Sequence, residues 1–330
     1  MPRRLGIAGG AGFVGINLAQ AAVAAGHQVV LLDQADRLGR YAHSGLGPQV
    51  TLLATDLAAG QLDAFADLDV IVNLAALAHV DYSLHFGDQV IANNVSVQRT
   101  VLDAAARYGT PVLFTSSIEV YGGNDGERFD ETAPRLPLSP YAESKILCED
   151  LVDTYRRDRA VRATVVRLTN LYGPWQSPDR IVPRIISQAH SGMKSQVTTG
   201  RLRDFLYITD AAAAILGLVE HGGWSGCYNI AAGHGVTLEE VADGIAVRIP
   251  TCSYSTVDAV DHDGRGPSLV ATADRLRTVL DWRPTVGLDE GLGRTVDWYE
   301  RNRAWWARFN GLLRADRGGP EFLIDFRLPL

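Results

Sequence analysis

Residues 5–15 read LGIAGGAGFVG: a short run fit for a buried strand, then clustered glycines, then the opening of a helical pattern that runs to Ala25. The glycines satisfy Gly9-x-x-Gly12-x-x-Gly15 and, in an overlapping frame, Gly10-x-Gly12-x-x-Gly15. A strand that breaks into a helix through glycines aims the helix's free N–H groups and positive dipole end at whatever the loop holds. The glycines allow a tight turn, close backbone approach to a pyrophosphate, and close packing of helix on strand.

Further short apolar runs follow at 29–32, 50–53, 70–74, 112–114 and 163–168, with helical periodicity clearest at 14–25 and 90–108. Continuous apolar strands separated by helices predict an α/β fold built on a doubly wound parallel sheet buried on both faces. Beyond about Asn170 the pattern loosens, with irregular Pro and Gly and short helices expected at 181–191, 210–221 and 238–249. Residues 1–170 are therefore expected to form the dinucleotide-binding domain, and 171–330 mainly a smaller α/β substrate domain with some segments returning to the sheet. A small ligand belongs in the cleft between them.

Asp33 ends the second apolar run, 18 residues after Gly15. A carboxylate there hydrogen-bonds the adenosine ribose and repels a 2′-phosphate, which favours NAD over NADP. Arg37 and Arg40 lie just beyond and soften that preference. Asp56, in TDLAAG, is placed to meet the adenine amino group or to serve as a turn former or helix cap.

The bulk numbers narrow the class. The chain has 330 residues, 46% apolar and 21% charged, with a net charge of −7 and arginines scattered singly. That argues against nucleic acid. Three cysteines are too few and too odd in number for a disulfide framework, and no signal-like or membrane-spanning apolar stretch is visible. A cytoplasmic enzyme is the expectation.

Chemistry is carried by PYAESK, in which Tyr141 and Lys145 stand four apart and share a helix face. A neighbouring ammonium favours the phenolate and lowers a tyrosine pKa from its usual value of about 10, as a proton-transferring base requires. Ser117 ends the apolar strand of VLFTSSIEVYG, with Glu119 two residues on.

Taken with NLAALAHVDYSL, NLYGPWQSP and RDFLYITD, these motifs resemble the extended short-chain dehydrogenase/reductases that act on nucleotide sugars, over about residues 5–300. The resemblance implies a Rossmann sheet and bound NAD that oxidises a sugar nucleotide, usually at C4 of the hexose. It implies Tyr141 as base, Ser117 orienting the same oxygen, and Lys145 tuning Tyr141 and holding the nicotinamide ribose. Around NAD it places Gly9, Gly12, Phe13, Val14, Gly15, Asp33, Asp56, Leu57, Leu74, Ala75 and Ala76, besides Tyr141 and Lys145. Toward the sugar nucleotide it places His79, Ser83, Ser117, Asn170 and Arg203. No metal is expected.

Glu119 separates the family's members. A carboxylate two positions after the catalytic serine resembles the 4,6-dehydratases and the decarboxylases; in a 4,6-dehydratase it takes the C5 proton acidified by a C4 ketone. AHVDYS, NLYGPWQSPDRIVP and WYERNRAWW are similar to the dTDP-glucose 4,6-dehydratases. Those enzymes carry an aspartate where this chain has Ile118, which cannot donate a proton. A 4-epimerase and a UDP-glucuronate decarboxylase are the alternatives, with an NDP-ketosugar reductase or a non-catalytic NAD sensor behind them. Asp204 disfavours the decarboxylase, because it would set a negative charge near a substrate carboxylate. Apolar positions Ile91, Val95, Leu102, Leu147, Leu151 and Tyr155 exceed what one sheet face needs, and the resemblance implies a homodimer through those two helices. The tail 311–330 matches nothing in the family pattern.

Overall fold

The computed structural model describes residues 1–37, 45–124, 127–258 and 268–309. Arg40 and the tail 311–330 lie outside the described residues.

The chain starts in the middle of its main sheet. β1 (Arg4–Ala8), β2 (Gln28–Asp33) and β3 (Val50–Ala54) step outward in one direction. β4 (Val70–Asn73) then crosses to the other side of β1, followed by β5 (Val112–Ser117) and the strands Ala163–Leu168 and Cys227–Ile230. Every pairing in this seven-stranded sheet is parallel. Ile7 sits between Leu31 and Val72, all three without solvent exposure, so the run of apolar residues serves two buried faces at once. The doubly wound architecture is as expected. Its direction reverses between β1 and β4, which opens a crevice at the strands' carboxyl ends.

Four long helices cover the faces: α1 (Phe13–Ala24), α3 (Gly87–Tyr108), α4 (Pro140–Arg159) and α6 (Ile208–His221), with the short α2 (Val80–His85) leading into α3. Leu18, Ala22, Ala211 and Ile215 pack with the sheet on one side, and Val97, Val101, Cys148 and Val152 on the other. Each large side chain buried this way contributes roughly 1.5–3 kcal/mol. Leu102 and Tyr155 belong to this internal core, which corrects their assignment to a surface between subunits. Of the other positions in that group, Ile91, Val95 and Leu151 are half-buried and Leu147 is exposed.

α4 is strongly delimited. Ser139 caps it by accepting from the Ala142 N–H at 3.1 Å, and Pro140 occupies its first turn. Arg156, Arg157 and Arg159 meet the negative end of its dipole.

Beyond residue 170 a second core forms from α5 (Ile181–His190), α7 (Leu238–Ala246) and α8 (Leu288–Arg301), through Ile185, Ile186, Val241, Ile245, Leu292 and Val296. Trp298, Tyr299 and Trp305 gather there against Trp175, which holds a left-handed backbone at φ 70°. The strand Cys227–Ile230 and α6 return to the main sheet, while Asn170–Tyr172, Arg203–Tyr207 and Gly235–Val236 form a small sheet at the cleft.

Candidate active site

One cavity of about 550 Å³ runs from the glycine loop to Arg203. Gly9 turns with φ 74°, and a Cβ there would lie 2.8 Å from the Ala75 backbone. A Cβ on Gly15 would lie 2.5 Å from the Gly10 carbonyl oxygen, so helix and loop touch with no room for a side chain. α1 begins with no side-chain cap and no acid in its first turn, which leaves its N–H groups and positive end for an anion. The Asp33 carboxylate accepts from the Ala11 N–H at 2.9 Å and the Gln34 N–H at 2.9 Å, bracing the loop while lining the cleft. Asp56 caps the turn Leu57–Ala59 through the Ala58 N–H at 3.0 Å and also lines the cleft. Phe13, Val14, Leu57, Leu74, Ala75 and Ala76 line the same stretch. These residues fit a dinucleotide.

β5 and α4 bring the reacting groups together. Ser117, at the end of β5, accepts the Glu119 N–H at 3.2 Å and hydrogen-bonds Tyr141. Lys145 donates to the Thr115 carbonyl oxygen at 2.9 Å, with its ammonium 5.8 Å from the Tyr141 ring centre. The expected electrostatic tuning is not what this arrangement delivers. Burial pushes the Tyr141 phenol up to about 12, helped by Glu119 and opposed by the Arg180 charge and the Ser117 hydrogen bond. Burial likewise pushes Lys145 down to about 8. The protein's cation that favours the phenolate is Arg180, which sequence reasoning missed. Burial decides both shifts because Tyr141 and Lys145 sit almost without solvent.

Toward the far end of the cleft lie Glu119, Asn170, Arg180 and Arg203. Burial raises the Glu119 carboxyl, and the charges of Arg203 and Arg180 pull it back down. The Asn170 amide donates to the Asp204 carbonyl oxygen at 3.2 Å. His79 caps α2 by accepting from the Tyr82 N–H at 3.3 Å, and its other ring nitrogen lies 3.4 Å from Asp179. Burial raises the Asp179 carboxyl, but His79, Arg180 and Ser177 together hold it below the usual carboxylate range. Arg180 also donates to the Ala78 carbonyl oxygen. The signal for Asp179 and Arg180 was an acid–base pair at a helix start, inside a motif read only for its resemblance. Ser83 is a correction. It does not reach the cleft, because it is fully buried and its hydroxyl donates to the Val80 carbonyl oxygen at 2.6 Å.

Residues 5–231 match the model of the NAD dependent epimerase/dehydratase family. The chain belongs to that family. Its cofactor is NAD. It is 30% identical over 317 residues to the dTDP-glucose 4,6-dehydratase of Mycobacterium tuberculosis, covering 92% of this chain and 95% of that protein. It is 31% identical over 324 residues to the Streptomyces niveus enzyme of the same name, covering 92% and 94%. Among solved structures, the dTDP-glucose 4,6-dehydratase of Streptomyces venezuelae, with NAD and TYD bound, superposes with a TM-score of 0.84 at 27% identity. That match covers 92% of this chain and 99% of the other. The Bacillus anthracis enzyme in complex with NAD gives 0.82 at 27%, covering 93% and 99%.

Two positions refine the comparison within the family. Ile118 packs with Val120, Tyr121, Ala231 and Leu269 in a small apolar cluster and does not line the cleft. Asp204 is fully buried and accepts the Ala232 and Gly233 N–H groups, each at 2.9 Å, away from the cavity. Its charge therefore gives no argument against a substrate carboxylate.

Proposed function

We propose that the protein is an NAD-dependent NDP-hexose 4,6-dehydratase that converts a nucleotide-linked hexose to its 4-keto-6-deoxy form. The observation that carries this is Glu119: a carboxyl facing the same cleft as Tyr141 and Ser117, close enough to raise the Tyr141 pKa, and bordered by Arg180 and Arg203. Bound NAD supplies two-electron oxidation and reduction of the sugar. It would be held by the glycine loop, Asp33, Asp56, Tyr141 and Lys145.

Tyr141 takes the proton of the C4 hydroxyl, with Ser117 fixing the oxygen. Arg180 favours the phenolate that this needs. Glu119, raised by burial, takes the C5 proton that a C4 ketone acidifies and passes it to the departing C6 hydroxyl, which leaves as water. The hydride taken from C4 would return to C6 and a solvent proton to C5, giving the 4-keto-6-deoxy sugar. Arg203 and Asn170 are placed for the diphosphate, a task that suits a guanidinium. His79, held by Asp179, shapes the wall between the pyrophosphate and the sugar. The half-buried and exposed residues Ile91, Val95, Leu147 and Leu151 on α3 and α4 are the surface we assign to a homodimer. Among the described residues no helix is long and apolar enough to cross a membrane.

The reading is tested by incubation in D2O with dTDP-glucose, GDP-mannose, UDP-glucose and UDP-glucuronate. Deuterium at C5 in a 6-deoxy product supports it. Inversion at C4 without solvent label, or release of CO2, overturns it.

A further inference from the structure

Behind the cleft lies a chain of buried polar groups that the reaction does not touch. Arg167, on the strand Ala163–Leu168, grips the Glu149 carboxylate with two hydrogen bonds of 2.9 and 2.7 Å. Glu149 is on α4, one turn beyond Lys145, and also accepts from Arg135 at 3.2 Å. The remaining Arg167 nitrogen donates to the Tyr121 hydroxyl at 2.9 Å, with the guanidinium 4.9 Å from the centre of that ring. Tyr121 donates onward to the Asn229 side-chain oxygen at 2.8 Å, on the last strand of the sheet. Glu149, Arg167, Tyr121 and Asn229 are all buried.

Arg167 links the two halves of the site within this chain. Glu149 is fixed on the helix that carries Tyr141 and Lys145. Tyr121 closes the turn Ile118–Tyr121, which carries Glu119. A buried, bidentate guanidinium has a single geometry, unlike a solvated ion pair. Breaking such a pair leaves an uncompensated buried charge, so the arrangement resists drift.

We propose that Arg167 is a positioning residue: by holding Glu149 and the Tyr121 hydroxyl together it sets where Glu119 stands relative to Tyr141. The proposal rests on the dehydratase reading, in which those two groups act in turn on one sugar. Oxidation at C4 needs Tyr141, Ser117 and Lys145, whereas elimination also needs Glu119 in register with them. Disturbing Arg167 therefore slows elimination more than oxidation.

The gentlest variant is Tyr121→Phe, which removes one hydroxyl and keeps the ring stacked on Phe129 at 4.9 Å. With Arg167→Lys it is compared to wild type on the nucleotide sugar that wild type dehydrates. We expect KM within about twofold, kcat lower by about tenfold or more, and a stronger reduced-cofactor absorbance band during turnover. A purely structural role would lower the band and kcat together with the folded fraction, and that result overturns the proposal. So does an unchanged kcat in both variants.

A second measurement needs no sugar. In the NAD-loaded protein, Glu149→Gln on α4 must speed amide hydrogen exchange at residues 118–122, across the Arg167 link. Unchanged exchange there overturns the positioning role even if wild type proves a dehydratase. Failure of wild type to form a 6-deoxy product overturns only the dehydratase reading.

Discussion

Lys145 donates its ammonium to the carbonyl oxygen of Thr115 at 2.9 Å, tying α4 to β5 beneath the Tyr141 ring. The ammonium is nearly inaccessible to solvent, which is why burial pulls it down to about 8. A lysine depressed below its ordinary value of 10.5 opposes folding wherever it must be charged.

The sign follows from linkage. Between pH about 8 and 10.5 the unfolded chain holds the proton and the folded chain does not, so stability rises with pH across that window. Below about 8 the full cost of the buried charge is present. Lys145→Met should therefore melt at the same or a higher temperature near neutrality and lose the rise above it. Activity should fall by ~10²–10⁴. Thermal melts across pH, alongside turnover, check both halves.

Arg180 lowers the pKa of both Tyr141 and Glu119. Removing its charge with Arg180→Gln raises both. The acidic limb of kcat/KM, where the phenolate is scarce, should move to higher pH, with a loss of about tenfold for each unit of displacement at a fixed pH on that limb. An unmoved acidic limb would take Arg180 out of the proton chemistry.

Glu119→Gln keeps the size of the side chain and removes the base. Elimination should fall by ~10²–10⁴, and deuterium should disappear from C5. Reduction of the cofactor by the nucleotide sugar should persist, because Tyr141, Ser117 and Lys145 are untouched. Full dehydration by this variant would remove the reason for choosing that reaction class over epimerisation.

Ile118→Asp installs the acid that the resemblance to the dTDP-glucose 4,6-dehydratases implies at this position. Because Ile118 packs inside an apolar cluster, the new carboxyl lands among Val120, Tyr121 and Leu269 and not in the cleft. The expected result is a loss of about 3 kcal/mol or more in denaturant unfolding, with no gain in elimination. Faster dehydration by a stable variant would show that this backbone can turn the side chain toward the sugar.

Local pattern alone was enough for the parallel sheet and the glycine loop, and it singled out Asp33, Ser117, Tyr141 and Lys145, which line one cavity. Strands buried on two faces must be continuously apolar, loops that admit phosphates must be glycine, and a four-residue spacing must share a helix face. Ordered motifs also placed Glu119, Asn170, Arg203 and His79, all of which line one cavity. Other facts depend on which distant segments meet. Ser83 lies one helical turn from His79 yet bonds its own helix, and Asp204 lies beside Arg203 yet turns to the backbone of Ala232 and Gly233. Arg180 reaches the chemistry only because α5 begins against the loop at Ala78. The direction of the Tyr141 and Lys145 pKa shifts depends on solvent exclusion, which is a property of the assembled walls and leaves no trace in a four-residue motif.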